Sequence, residues 1–105
     1  MTEEKRFVWL NTLKAGDEVG IIEEIEGIRY TINYASDLIL AIEKKGTFSL
    51  ANGTVFNHLG EFCYENPSLG VRFKYKIIPL TEEIKKKRRF YHINKLVGLI
   101  TGGPL

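Results

Sequence analysis

Alternating apolar and polar residues mark most of the chain between residues 17 and 80 as β-strand. The clearest run is residues 28–34, which reads Ile28, Arg29, Tyr30, Thr31, Ile32, Asn33 and Tyr34. A period of two places successive side chains on opposite faces of a strand, so we expect this strand to be half-buried. Residues 71–77 repeat the pattern with basic residues at every second position. That strand is predicted to have one apolar and one basic face.

Shorter strands are predicted over residues 18–25, 38–42, 47–50 and 54–56. Residues 38–42 are continuously apolar and are predicted to form a buried strand. Turn signals separate the strands at Ser36-Asp37, Gly46 and Asn52-Gly53, the last being a strong hairpin signal. Residues 57–70 contain Pro67 and are predicted to be the least regular part. Five or six short strands with tight turns predict a mainly β fold, a small antiparallel barrel over residues 17–80.

A helix is predicted on each side of the strands, over residues 1–13 and 81–100. Thr2 and Thr81 are helix-capping residues, and two glutamates follow each of them. In the second helix Phe90, Ile93 and Val97 recur at helical spacing and are expected to pack on the barrel. With residues 101–105 as a tail, residues 1–105 are predicted to form a single domain.

Several short motifs occur in an order that resembles small bacteriophage and prophage proteins of mostly unknown function. They are Leu13-Lys14-Ala15-Gly16-Asp17, residues 28–35 and 38–42, Gly46-Thr47-Phe48 with Asn52-Gly53, Ile77-Ile78-Pro79 and Thr81-Glu82-Glu83-Ile84. The resemblance runs from residue 13 to residue 84 and departs at residues 57–70. It implies an SH3-like barrel with a charged C-terminal helix and a phage-type setting. It carries over no catalytic residues.

Charge is distributed unevenly along the sequence. Residues 1–43 have 4 Lys/Arg against 9 Asp/Glu, a net −5, and residues 44–105 have 11 against 4, a net +7. Five consecutive basic residues, 85–89, open the second predicted helix. Glu82 and Glu83 precede Lys86 and Lys87 by one helical turn and are expected to pair with them, whereas Lys85, Arg88 and Arg89 have no such partner.

A basic strand and a basic helix with nearby aromatic residues are typical of a nucleic-acid interface. The residues predicted to bind nucleic acid or a partner are Arg72, Lys74, Lys76, Lys85, Arg88, Arg89, Tyr91 and His92. The two surfaces would be continuous if the strand and the helix lie on one side of the molecule. The alternative to a nucleic-acid interface is a solvated helix whose basic residues form ion pairs within the helix.

A second hypothesis is a phage-type effector that binds and inhibits a host protein. Targets of this kind would be a defence nuclease such as a CRISPR effector, or the replication or transcription machinery. Exposed aromatic side chains at Trp9, Phe62 or Tyr64 would favour it. The acidic residues Glu23 and Glu24, together with Glu26, are a further candidate contact face.

Catalytic chemistry is not expected from this sequence. The candidate metal ligands are His58, Cys63 and His92, and their spacing fits no common site. Cys63 lies between two aromatic residues, which is more typical of a packed thiol than of a nucleophile. We therefore predict a protein that is not an enzyme and has no metal or cofactor.

The expected compartment is the cytoplasm, that of the host for a phage protein. The single cysteine excludes an internal disulfide, and the opening residues show no signal-peptide pattern. No apolar run reaches the roughly 18 residues needed to span a bilayer.

Overall fold

The computed structural model describes residues 2–88, which form a mainly antiparallel six-stranded β-sheet with two short helices. In chain order the elements are α1 (Glu3–Leu10), β1 (Glu18–Glu26), β2 (Tyr30–Ile42), β3 (Phe48–Leu50), β4 (Val55–Phe56), β5 (Glu61–Asn66), β6 (Val71–Ile78) and α2 (Glu82–Lys87). The order across the sheet is β4-β3-β2-β1-β6-β5. The predicted mainly β class is therefore confirmed.

The predicted closed SH3-like barrel is not confirmed, because the sheet stays open between β4 and β5. β4 has two residues, too few to provide a second ladder, and the chain turns immediately after it. Among the described backbone hydrogen bonds, one joins the end of β4 to the start of β5: the Asn57 amide donates to the Glu61 carbonyl at 2.9 Å. Six strands curl around one core without completing a ring of pairing.

β2 and β5 differ from the sequence prediction. The expected turn at Ser36-Asp37 is wrong: both residues continue β2 and pair with Gly20 and Val19 of β1. The strand changes partner further along, at a bulge between Ile39 and Ala41, where it begins to pair with β3. The segment predicted to be least regular contains β5, which pairs with β6 along its whole length.

The inner face of the curled sheet holds the core. Its buried apolar residues are Val19, Ile21, Ala35, Ile39, Phe48, Leu50, Phe56, Phe73, Tyr75 and Ile77, with Leu10 from α1. The predicted apolar face of residues 71–77 is thus confirmed. One carboxylate is buried among these residues: Glu23 is on the inner face and accepts a hydrogen bond from Asn33 Nδ2 at 3.0 Å. The opposite face of the sheet is called the outer face below.

α1 is held against the sheet by a buried arginine. Thr2 caps the helix, as predicted, by accepting from the Lys5 amide at 3.2 Å. Arg6 is 3% exposed and donates from Nε to the Ile77 carbonyl and from Nη2 to the Gly60 carbonyl, each at 2.9 Å. The Ile77 amide itself donates to the Gly60 carbonyl at 2.8 Å, so the guanidinium binds two carbonyls at the end of the β5–β6 ladder and ties α1 to both strands.

α2 is shorter than the helix predicted over residues 81–100. Thr81 caps it, and the helix ends at Lys87 because Arg88 has an extended backbone. Arg88 forms an isolated parallel bridge with Tyr34 at the side of β2. The expected docking residues Phe90, Ile93 and Val97 lie outside the described residues.

Small residues allow the chain between β6 and α2 to cross the outer face. A Cβ atom on Gly20 would lie 3.2 Å from the Pro79 carbonyl oxygen and 3.2 Å from Ile78 Cγ1. Ser36 is the register partner of Gly20, and its hydroxyl accepts a hydrogen bond from Arg88 Nη1 at 3.1 Å. The paired residues Gly20 and Ser36 therefore determine where the chain between β6 and α2 crosses the outer face.

Enlarging Gly20 is expected to destabilise the protein in proportion to the added volume. Gly20→Val should lower the free energy of unfolding by about 2 kcal/mol because the crossing backbone cannot withdraw like a flexible side chain. Gly20→Ala should cost less than Gly20→Val. Urea denaturation of both variants measures this, and equal stability of Gly20→Val and the parent protein would show that the crossing is not tight.

Candidate binding surface on the outer face

The basic face of β6 lies between two strands that carry glutamates. The register places Arg72, Lys74 and Lys76 on the outer face, opposite Glu26 and Glu24 of β1 on one side. Glu61 and Glu65 of β5 are paired with the same face of β6 on the other side. Three basic residues thus share this part of the sheet with four carboxylates.

Each basic side chain of β6 has a carboxylate partner. Arg72 Nε lies 2.8 Å from Glu65 Oε1, and Lys74 Nζ lies 3.0 Å from Glu26 Oε1. Lys76 Nζ lies 3.9 Å from a carboxylate oxygen of Glu61 and 3.9 Å from one of Glu3. Exposed pairs contribute little stability, but they cancel the field that a polyanion would be drawn to.

The basic residues of α2 are also mostly paired. Lys87 donates to Glu83 at 2.8 Å, as predicted, and this bond lowers the pKa of Glu83 and raises the pKa of Lys87. Glu82 pairs with Lys85 at 3.2 Å, rather than with Lys86 as predicted, so the expectation that Lys85 lacks a glutamate partner is wrong. Among the described residues, Lys86 has no carboxylate within 4 Å.

The expectation that Arg88 lacks a partner is wrong. Its Nη1 atom lies 3.8 Å from Glu18 Oε2 and also donates to the Ser36 hydroxyl. Both partners belong to neighbouring strands, so no pattern of helical spacing could reveal them. Of the other residues predicted to bind, Arg89, Tyr91 and His92 lie outside the described residues.

The basic strand and α2 do not form one continuous basic surface. α2 packs against β2, whereas β6 lies on the other side of β1. With about 4.8 Å between neighbouring strands, β2 and β6 are roughly 10 Å apart. The outer face of β1, with Glu18, Glu24 and Glu26, fills that interval.

The outer face of β2 is apolar and exposed. Tyr30 is 59% exposed, Ile32 43%, Leu38 45% and Leu40 60%. The prediction that residues 28–34 have a buried apolar face is wrong, and so is the prediction that residues 38–42 are buried. Ala35 and Ile39 on the same strand are the residues that enter the core, so the residues of opposite parity face outward.

Two contacts order this apolar face. The Tyr30 hydroxyl donates to Glu24 Oε2 at 2.6 Å, which holds the ring across β1 and raises the pKa of Tyr30. Lys87 Nζ lies 5.9 Å from the centroid of the Tyr34 ring, within range of a cation–π interaction. The face is therefore organised before any partner arrives.

A groove runs between α2 and β2. Its volume is about 430 Å³, and its lining residues are Ile32, Asn33, Tyr34, Lys86, Lys87 and Arg88. The β2 side of the groove is apolar and aromatic, and the α2 side is basic. This is the one place in the described part of the chain where the exposed apolar face meets the basic residues of α2.

The remaining sequence candidates do not assemble into a reactive centre within residues 2–88. Cys63 is exposed on the outer face beside Lys74, so the prediction of a packed thiol is wrong. His58 lies elsewhere: its Cβ would be 3.2 Å from a Cβ on Gly46. The shallow pocket at Cys63 is lined by Glu24, Glu61, Lys74, Tyr75 and Lys76, without an imidazole.

The aromatic residues considered as possible exposed contacts are partly buried, as expected for Trp9. Trp9, Phe62 and Tyr64 pack against the core. The Phe62 ring lies 6.1 Å from that of Phe56 and 6.0 Å from that of Tyr75, measured between centroids. Glu23, proposed for an acidic contact face, is buried on the inner face.

Within residues 2–88, no group of three His, Cys, Asp or Glu side chains is placed to hold a metal ion. No helix in the same range is long and apolar enough to cross a membrane.

No protein-family model, curated protein or solved structure matches this chain.

Proposed function

We propose that the protein is a non-catalytic binding protein whose partner is another protein, bound at the outer face of β2. The observation that carries this proposal is the exposure of two apolar pairs on that face, Tyr30 with Ile32 and Leu38 with Leu40, on either side of the crossing at Ser36. The phage-type setting and a host protein as the target, both implied by the sequence resemblance, belong to the same proposal.

Apolar exposure of this kind favours a protein partner on energetic grounds. Burying apolar surface stabilises a complex by about 25 cal/mol per Å², and aromatic and aliphatic anchors at the centre of an interface carry most of its energy. Tyr30, Ile32 and Leu38 also lie on strand backbone in uninterrupted register with β1, so little conformational entropy is lost when they are covered. These three properties together are those of a protein-binding surface.

Nucleic acid is the weaker candidate because its predicted binding residues are already engaged. Arg72, Lys74 and Lys76 are each paired with glutamates, and the same glutamates would repel a phosphate backbone. The feature that still supports nucleic acid is Lys86 beside the Tyr34 ring, where one base could stack.

Selection of random linear peptides displayed on a surface tests the proposal without knowledge of the natural partner. We expect peptides to be enriched whose binding is weakened about tenfold or more by Tyr30→Ser with Ile32→Ser, or by Leu38→Ser with Leu40→Ser. Leu69→Ser is the matched control, because Leu69 is 70% exposed, more than any of these four residues, but lies in the β5–β6 turn.

Fluorescence anisotropy with labelled single- and double-stranded oligonucleotides at low salt provides the opposing measurement. Oligonucleotide binding that falls linearly in log affinity with log salt, with no enriched peptide, would replace the proposal with nucleic-acid binding. Enriched peptides that bind all the serine variants as well as the parent protein would place the interface elsewhere.

A further inference from the structure

The geometry points to strand addition as the binding mode: an extended, acidic segment of the partner pairs with the open edge of β2 at Tyr30 and Ile32. This inference rests on the proposed function and adds the backbone groups used and the chemistry of the partner.

The backbone of β2 presents Tyr30 and Ile32 to the open edge. Ile39 bonds towards β1, donating to the Asp17 carbonyl at 2.9 Å and accepting from the Gly16 amide at 2.7 Å. Successive residues of a strand point their backbone groups to opposite sides, and Leu38 accordingly accepts from Ala51 on the far side. The register is uninterrupted from residue 38 back to residue 30, so the even-numbered residues face away from β1.

Within residues 2–88, no strand pairs with this edge of β2 at residues 30–33, which precede Tyr34. β3 begins its pairing with β2 at Ile39, and the only bridge nearer the hairpin is that between Tyr34 and Arg88. Tyr34 is itself an even-numbered residue, and the bridge shows that this side of β2 accepts a second backbone. The amides and carbonyls of Tyr30 and Ile32 continue the same edge as an unpaired template.

The surroundings of the edge select for an acidic segment. The α2 wall of the groove carries Lys86, Lys87 and Arg88. Lys87 and Arg88 have glutamate partners, whereas Lys86 has none among the described residues. A carboxylate on an added strand would give Lys86 the partner that it lacks, while apolar residues of that strand would cover Tyr30 and Ile32.

The partner inferred from these features is a protein segment that is extended, lacks proline at the pairing positions and carries both apolar and acidic residues. The main-chain bonds would supply affinity without regard to sequence, and the apolar and acidic side chains would supply specificity. A segment with basic residues in place of the acidic ones would bring a like charge to Lys86 and bind more weakly.

Amide hydrogen exchange of the full chain, with a synthetic peptide of alternating valine and glutamate as the probe, tests the inference. The amides of Tyr30 and Ile32 should exchange rapidly in the free protein and slow about tenfold or more when the peptide is added. The amides of Thr31 and Asn33 face β1 and should be slow in both states, which makes them internal controls. An alternating valine and lysine peptide should give no protection.

Two variants distinguish the contribution of backbone hydrogen bonds to peptide binding from the contribution of charge. Ile32→Pro removes an edge amide that β1 does not use, so the protein should fold and lose protection at Tyr30. Lys86→Glu should weaken peptide binding by about tenfold, while Lys45→Glu in the β2–β3 turn should leave it unchanged. If Ile32→Pro does not fold, the exchange of Tyr30 and Ile32 in the parent protein still decides the question.

Three results would overturn strand addition. Slow exchange of Tyr30 and Ile32 in the free protein at all concentrations would mean that the chain covers its own edge. Slow exchange that appears only as concentration rises would mean that a second copy occupies it. Peptides from the display selection that bind without protecting these amides would refute strand addition and leave protein binding by the outer face intact.

Discussion

Replacement of Arg6 with alanine is expected to lower the free energy of unfolding by about 4 kcal/mol. Arg6 is buried, and it supplies hydrogen bonds at 2.9 Å to the carbonyls of both Ile77 and Gly60. A bond from a charged donor contributes about 1.5–3 kcal/mol, and its removal here also leaves a cavity at the end of a strand ladder. Burial lowers the pKa of Arg6, and the nearby Glu3 carboxylate opposes this shift.

Urea denaturation followed by the fluorescence of the single tryptophan, Trp9, measures the effect on the helix that Arg6 anchors. Lys5→Ala is the matched control, since Lys5 is the exposed neighbour of Arg6 on the same helix and should change stability by less than about 0.5 kcal/mol. Arg6→Lys should recover little, because one ammonium group cannot reproduce the planar fork that spans two carbonyls. A loss below about 1 kcal/mol in Arg6→Ala would contradict the anchoring role.

Gly60→Ala is expected to cost about 3 kcal/mol, for two separable reasons. Gly60 has a φ of 69°, a region that costs a residue with a side chain about 1–2 kcal/mol. Its new Cβ atom would also lie 2.9 Å from Arg6 Nη2 and 3.1 Å from Leu10 Cδ2. The arginine cannot move away without breaking its bond to the Gly60 carbonyl, so the clash adds an overpacking cost of about 1–3 kcal/mol.

Gly70→Ala isolates the backbone cost. Gly70 has a φ of 64°, and a Cβ atom there would meet nothing within 4 Å. The difference in unfolding free energy between the Gly60→Ala and Gly70→Ala variants is therefore the steric part alone. Combining Gly60→Ala with Arg6→Ala should cost less than the sum of the two, because the cavity left by Arg6 accepts the new methyl group. Strict additivity would show that the two residues do not share a site.

The local pattern of apolar and polar residues predicts most of the strands, but it does not predict which face of each strand is buried. The run from Ile28 to Tyr34 has the period of a strand, yet the period alone does not say which parity is buried. Ala35 and Ile39 decide that, because they pack into the core formed by distant strands. Leu38 and Leu40 are likewise predicted to be buried because they lie in a continuous apolar run, which also does not show which residues face the core.

Long-range pairing explains the other differences. The basic residues of β6 alternate clearly in the sequence, but the glutamates that neutralise them are contributed by β1, β5 and α1. The ion pairs that lie within one helical turn, such as Glu83–Lys87, are the kind that spacing can predict. Arg6 gave no sequence signal at all, since a lysine and an arginine at the start of an amphipathic helix are usually solvated. Its role depends on the Ile77 and Gly60 carbonyls, which lie 71 and 54 residues away in the sequence.

The most direct test of the proposed binding surface is a map of backbone amide chemical-shift changes when a bound peptide or oligonucleotide is titrated into the protein. The account predicts that the changes are concentrated on β2, at Tyr30, Ile32, Leu38 and Leu40, and on the adjacent residues of α2. Changes concentrated at Arg72, Lys74 and Lys76 of β6, with β2 unaffected, would contradict it.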